Sequence, residues 1–544
     1  MYTRIRASVL LLGAVALLSG CLAVQPVLPA PPRPEVPGAA LAPGTPVRQG
    51  GDLVMGLSSE PDRLDPTTSS SLYTRYVMSS ICEKLYDIDA AGTVVPQLAT
   101  ALPVIGAGGR TVDITVRDGV RFADGTPLDA AAVVTTLRRH LTLPDSSRRS
   151  ELGPVTGIAA TGPRTVRISY ARPFAPLTAS LADRAGMIMS PAALARPGVE
   201  FSADPVCVGP FRFAERVPQT SITVVRDPLY YAAHEVHLDS ITYRIMNDTA
   251  IRAANLRSGD VDVADTISPQ DVDALARERD VRVLQIPSLG YQAMTVNVGN
   301  TAGTGNPPGR IDTPLATDPR VRRALALSVD RTVLVNAVFN NWYEPACSPV
   351  PPGSTFATPA SDACPPYDPA AARALLEQAG VALPYRVTMK VSNSPDTLRL
   401  AQALQAAVAQ GGFAITIEPV EYSTLLDVQD RGDFDLLQLG WSGRVDPHGN
   451  IASFLTTGAG NNYSGYSNPA VDELIRRAAA TIDPAARAAL YGQVVTQVQR
   501  DNPIIYLYRQ RNLTAHAADV AGVQTFADGV VRLSRAAFLE QGAG

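Results

Sequence analysis

Residues 384–444 read PYRVTMKVSNSPDTLRLAQALQAAVAQGGFAITIEPVEYSTLLDVQDRGDFDLLQLGWSGR, and three apolar runs within them imply a sheet. Residues 385–391, 413–420 and 434–439 have the alternation and β-branched content of strands. Residues 397–410 and 423–430, lying between them, carry the apolar spacing of helices. A strand–helix–strand–helix–strand order demands right-handed crossovers and a parallel sheet, so the fold class is α/β. Ligands of such sheets sit beyond the carboxyl ends of the strands. Ser392 and Asn393, Glu421 and Tyr422, and Gly440-Trp441-Ser442-Gly443-Arg444 all emerge at that edge.

Toward the N-terminus the pattern is similar but looser. Strands are expected over 51–57, 111–117 and 165–170, and a helix over 129–140 with its N-cap at Asp129. No fixed-period repeat occurs, which argues against a solenoid or propeller. At 544 residues, with 46% hydrophobic and 18% charged, the chain has enough apolar material for two to four domains. Its 47 basic and 51 acidic side chains give a net charge of −4. That balance offers no footprint for nucleic acid.

The first residues read as targeting information. Arg4 and Arg6 precede an apolar run over 9–18, too short for a permanent membrane span, so 1–20 is expected to be a signal peptide. Leu18-Ser19-Gly20-Cys21 resembles a bacterial lipobox, making Cys21 the expected lipidation site. Residues 21–48, rich in proline and poor in charge, are expected to be an extended tether. The four cysteines left, Cys82, Cys207, Cys347 and Cys364, are an even set suited to an oxidising compartment. Cys347 with Cys364 is the natural local pair, leaving Cys82 with Cys207, although four cysteines allow three pairings.

The chain resembles the extracytoplasmic solute-binding proteins of peptide-type ABC importers, family 5, the oligopeptide/dipeptide/nickel-binding group. The resemblance rests on an ordered series of short motifs. It begins with Glu60-Pro61 and Leu64-Asp65-Pro66, Glu83-Lys84-Leu85-Tyr86, and Val95-Pro96-Gln97-Leu98-Ala99. It continues with Arg117-Asp118-Gly119-Val120-Arg121-Phe122, Val208-Gly209-Pro210-Phe211, and Leu256-Arg257-Ser258-Gly259-Asp260. Val321-Arg322-Arg323-Ala324-Leu325, Tyr367-Asp368-Pro369, Gly440-Trp441 and Tyr466-Ser467-Asn468-Pro469 complete it. It implies a two-lobed periplasmic-binding-protein-like fold, with an extra subdomain in the first lobe and a hinge between lobes. Lobe 1 would comprise 49–297 with 511–544, and lobe 2 would comprise 298–510. Such a protein would be a monomer on the outer face of the cytoplasmic membrane. It would deliver solute to the permease and ATPase subunits of an importer, without cofactor and without chemistry.

In the peptide-binding members an Asp shortly after the Gly-Trp turn holds the peptide's amino group. Arg444 stands there in this chain. A guanidinium fork suits a carboxylate or phosphate, so an anionic solute such as a sugar phosphate, an opine-like compound or an acidic conjugate is one reading. The other is that Arg444 pairs with Asp446 or Glu421 and braces its loop. Asp446 is itself an alternative amine partner. Trp441, Ser442, Tyr422 and Asn393 are candidate ligand contacts from the strand ends, Asn393 alternatively capping the helix that follows. Tyr73, with Arg75 beside it, is the candidate from the facing lobe. His234 and His237 suggest a metal, but no third ligand follows them. The chain has no HExxH, no GxxxxGK[ST] and no nucleophile elbow, because Arg444 replaces the elbow's final glycine. A non-transporting regulatory lipoprotein is the remaining alternative class.

Overall fold

In the computed structural model, which describes residues 33–540, the strand Tyr385–Ser392 runs parallel to both Phe413–Val420 and Leu436–Trp441. The helices Pro395–Gln410 and Tyr422–Arg431 form the crossovers. Leu400, Leu404 and Val408, four residues apart, bury one face of the first helix. Ser394, rather than Asn393, caps it by accepting the Thr397 N–H. The third strand starts at Leu436 and includes Trp441, later than the expected 434–439. Phe434 is buried ahead of the strand, in an apolar cluster with Leu425 and Val428, so its burial is not a strand position.

The sheet containing these strands is mixed and six-stranded. Leu436–Trp441 also pairs antiparallel with Tyr291–Val296, followed by Ile504–Arg509 and Glu344–Pro345. A second, seven-stranded sheet has the order Val281–Pro287, Arg511–Ala517, Val263–Ala264, Asp52–Leu57, Ser240–Ile245, Ser221–Arg226 and Phe211–Val217. Each sheet organises one lobe. The chain passes between them at 288–290 and returns at Gln510. The first passage precedes the expected boundary at 297, because Tyr291–Val296 hydrogen-bonds within the second sheet. One apolar cluster is continuous across the passage, joining Leu256, Val261 and Leu513 to Met294, Leu325 and Ile505.

A four-stranded antiparallel sheet, Val104–Gly106, Thr111–Thr115, Thr165–Tyr170 and Val155–Ala160, forms a subdomain on the first lobe. The helix Ala130–Thr142 covers it with Ala130, Val133, Val134 and Leu137. Asp129 caps that helix by accepting the Ala132 N–H.

Cys82 is bonded to Cys207, and Cys347 to Cys364. The expected signal segment and Cys21 lie outside the described residues. Residues 33–48, expected as tether, are packed on the body instead. Val36 exchanges both backbone hydrogen bonds with Gln285, and Val47–Arg48 pairs with the strand Ala537–Leu539. Arg511 donates to the Arg33 and Pro34 carbonyls, and the Arg33 guanidinium lies 3.6 Å from the centre of the Trp342 ring. A proline lacks the N–H donor but keeps its carbonyl, and Arg511 uses that of Pro34. No described helix is long and apolar enough to cross a membrane.

Candidate ligand-binding cleft

Strand ends from both lobes converge where the chain crosses between them. Asp52–Leu57 runs out into Ser58 and Ser59, and the Ser58 hydroxyl donates to Asp265 Oδ2 at 2.8 Å. Asp265 is fully buried beside Arg252, whose guanidinium is occupied by the Met246, Asp265 and Thr266 carbonyls. Burial raises the Asp265 carboxyl and Arg252 opposes it. This pair anchors the first wall.

Leu436–Trp441 supplies the facing wall. An amide chain runs along it, Gln438 donating to Gln292 at 3.1 Å and Gln292 to Gln510 at 3.0 Å. Gln510 is the second crossing residue, so the chain ties the wall to the hinge. The first crossing packs even closer. A Cβ at Gly290 would lie 1.9 Å from the Trp441 carbonyl oxygen, and one at Gly443, with φ +88°, would lie 2.3 Å from Leu289. Only glycine fits either position.

Between the walls is a cavity of about 210 Å³. Ser58, Ser59, Ser70 and Tyr73 line it from the first lobe, and Tyr422, Gly440, Trp441, Ser442 and Tyr463 from the second. Tyr73 and Tyr422 meet edge to face across the lobes, 5.1 Å between centres. A larger cavity of about 660 Å³ also lies between the lobes, and its lining includes Arg63, Ser147, Ser150, Asp430, His448 and Ala452. Asp430 has its carboxyl pushed up to about 7 by burial, then by Asp427 and Asp62.

Four expected contacts, Trp441, Ser442, Tyr422 and Tyr73, therefore line the smaller cavity. Trp441 is a strand residue rather than a loop residue. It packs on Phe454 at 4.9 Å, and its indole N–H donates to Asn450. Asn393 is exposed and off the cavity, while its neighbours Ser392 and Ser394 line it, as strand alternation followed by a turn requires.

Arg444 lies behind the Trp441 ring, 4.3 Å from its centre, and is buried. Its partner is neither Asp446 nor Glu421 but Asp183 of the opposite lobe, at 3.1 Å. Asp183 also holds Arg75 at 2.6 Å, and Arg75 reaches over to the Ser442 hydroxyl at 3.3 Å. Burial alone would raise the Asp183 carboxyl, but Arg444, then Arg75 and Arg184, outweigh it and hold it far below the ordinary range. Burial lowers Arg444 to about 10, with Asp183 opposing. Asp446 is taken by Arg487 at 2.8 Å, and Glu421 caps its own helix through Thr424.

His448 is buried, lowered to about 4 by desolvation, and lines the larger cavity. His234 and His237 do not share a site; the first faces Glu235 and the second Gln49. Among the described residues no three His, Cys, Asp or Glu side chains converge as metal ligands. Asp183, Arg148, Arg184, Gln292, Gln438 and Tyr463 escape sequence reading. Asp183, Arg148 and Arg184 sit in segments without diagnostic spacing, and Gln438, although inside the expected strand 434–439, meets Gln292 only across the sheet.

The description "Bacterial extracellular solute-binding proteins, family 5 Middle" applies to the sequence family matching residues 93–463. The glutathione-binding protein GsiB of Escherichia coli (strain K12) is 27% identical over 483 residues, covering 87% of this chain and 91% of that one. Its counterpart from Pectobacterium atrosepticum is 28% identical over 496 residues, covering 89% and 93%. Two solved structures share the two-lobed fold. The periplasmic binding protein AgaA of A. tumefaciens R10, in complex with agropinic acid, has a TM-score of 0.81 at 24% identity, covering 91% of this chain and 100% of that one. The E. coli murein tripeptide binding protein MppA has a TM-score of 0.83 at 22% identity, with the same coverage. Two sheets joined by two crossings, a cavity between facing strand ends and a family match over more than half its length lead to one conclusion: the chain belongs to the bacterial extracellular solute-binding proteins of family 5, which bind solutes and are not enzymes.

Proposed function

We propose that this chain captures a small peptide-like solute bearing a free carboxylate. It closes its lobes over the solute and delivers it to the permease of an ABC importer. The observation that carries this reading is the cavity of about 210 Å³ closed by Ser58, Ser59 and Tyr73 from one lobe and Tyr422, Trp441 and Ser442 from the other. That volume is below the roughly 300–1,000 Å³ common for small-molecule pockets, which suits a solute of two or three residues rather than a long peptide. Tyrosine and tryptophan faces can stack on such a solute, while serine hydroxyls and glutamine amides bond its peptide groups. The glutathione-binding relatives support the size class and AgaA the acidic character. Arg444, standing where the peptide binders' amine-holding Asp is expected, supports an anionic group. A lipid on Cys21 would hold the protein, as a monomer, outside the cytoplasmic membrane.

A thermal-shift panel of glutathione, Ala-Ala, Ala-Glu and glucose 6-phosphate on the full chain tests this. A true ligand at about 100 times its Kd stabilises by about 2.7 kcal/mol. Stabilisation by glutathione or Ala-Glu is expected, and a response to the sugar phosphate alone would overturn the peptide-like assignment, as would a flat panel. In calorimetry, Arg444→Ala should weaken binding of an acidic peptide by about 1.5–3 kcal/mol, the worth of one charge-assisted contact.

A further inference from the structure

The lobe interface holds more buried positive charge than it answers. Arg148 and Arg184 are fully buried and Arg444 nearly so. Arg148 gives Nη1 to Glu151 and Nη2 to the Ser69 carbonyl at 3.0 Å, but its Nε meets no acceptor among the described residues. Arg184 gives Nη1 to the same Ser69 carbonyl and to that of Ser71, both at 3.0 Å. Its Nη2 has no acceptor, and its Nε lies 3.7 Å from Asp183, beyond hydrogen-bond reach. Arg444 spends Nε on Asp183 and Nη1 on the Gly443 carbonyl, and its Nη2 is also without an acceptor. Glu151 Oε2 is the single carboxylate oxygen of the group that meets no donor.

These guanidiniums share partners, so they lie together. Ser69 O joins Arg148 to Arg184, and Asp183 joins Arg184 to Arg444 and Arg75. Four guanidiniums thus face Asp183 and Glu151. Asp528, which Arg75 also touches, is answered by Arg532. A buried cation without an answering charge is costly. None of Arg148, Arg184 and Arg444 lines either cavity, but their neighbours do. Ser70, next to the shared Ser69 carbonyl, lines the smaller cavity, as does Trp441, on which Arg444 lies. Ser150, on the turn with Arg148 and Glu151, lines the larger cavity and meets Ser453 of the other lobe at 3.1 Å.

We infer that Arg148 and Arg184 of lobe 1, with Arg444 of lobe 2, form an anion seat behind Trp441 that takes the solute's carboxylate as the lobes close. The inference rests on the capture reading above and names the residues that would read the acid. Two of the three arginines stay with the first lobe, so the carboxylate docks on Arg148 and Arg184 and Arg444 arrives with closure. Planar forks from both sides suit a carboxylate better than a point charge would.

The test titrates glutathione and its diethyl ester, which lacks both carboxylates, into the full chain and its Arg148→Gln and Arg184→Gln variants. The wild type should prefer the acid by about tenfold or more, the scale of a lost charged hydrogen bond, and both variants should bind acid and ester about equally. Equal affinity of the wild type for acid and ester, or loss of both ligands alike in the variants, would overturn the seat and leave capture standing. Should R184Q fail to fold, R148Q decides. If neither compound binds, the capture reading falls and inorganic phosphate becomes the probe. A rise in Tm with phosphate that R148Q lacks would uphold the seat without it, and no rise would remove both.

Discussion

Asp430 carries the clearest pH signal in the interface. Its folded value of about 7 stands above the roughly 3.9 of an exposed Asp, because it is buried near Asp427 and the facing lobe's Asp62. A raised acid contributes stability below its unfolded pKa and loses it as pH climbs through the folded one, here between about 4 and 7. His140 and His448, lowered by burial to about 3 and about 4, act oppositely in that window, their cost growing as pH falls below about 6.5. Subtracting the Asp430→Asn curve from the wild-type curve isolates the carboxylate. We expect the variant to be more stable at pH 8 by on the order of 1 kcal/mol, a fraction of the shift because Asp430 borders the larger cavity, where solvent screens its charge. The gap should close toward pH 4 in denaturant titrations; a gap that does not change with pH would refute the assignment. At this scale the sequence exposes chemistry but not partners. Arg444 stood out as an arginine in a turn, yet Asp183 precedes a 3-10 turn on another lobe, and no spacing connects them.

Elements were legible where their partners are local. The stretch from 384 folds by its own periodicity, since its first strand pairs with both of the others, with Phe413–Val420 across one helix and with Leu436–Trp441 across two. Tyr291–Val296 belongs to lobe 2 rather than the expected lobe 1 because its partners, Leu436–Trp441 and Ile504–Arg509, come from far along the chain. The packed segment 33–48 escaped for the same reason, its partners being Gln285, Arg511 and Ala537–Leu539. The disulfides turn chain separation into a measurable difference. Cys82–Cys207 closes a separation of 125 residues and Cys347–Cys364 one of 17. By loop entropy the first should contribute nearly 5 kcal/mol and the second about 3. Paired Cys→Ala variants compared by guanidinium unfolding should therefore rank Cys82/Cys207 as the more damaging loss. Cys82 also ends the helix Leu72–Ile81 that carries Tyr73 and Arg75 into the interface, so its loss should loosen the cleft wall as well.

Across the whole molecule, the two lobes meet through groups that belong to opposite sides. Arg444 reaches Asp183, Arg75 reaches Ser442, Ser150 meets Ser453 and Tyr73 meets Tyr422. Asp183 is the centre of this set, because it holds a cation from each lobe. Asp183→Asn keeps the side chain's shape and its acceptor for the Arg184 N–H, and removes only the charge that draws Arg444 across. Leaving two buried guanidiniums without their carboxylate should cost about 3–5 kcal/mol in the closed arrangement. In the open arrangement water can answer Arg444, so the cost falls mainly on closure. A protein whose binding-competent state is depopulated binds more weakly by that same fraction. The variant should then show a larger radius of gyration than the wild type in small-angle scattering without solute, and return to the wild-type value with saturating solute. Affinity should fall while the saturated shape is unchanged, since the solute pulls the equilibrium back toward closure. An Asp183→Asn protein with wild-type dimensions in both conditions would mean that the lobes are held by the aromatic and serine contacts, and that the ion pair merely follows.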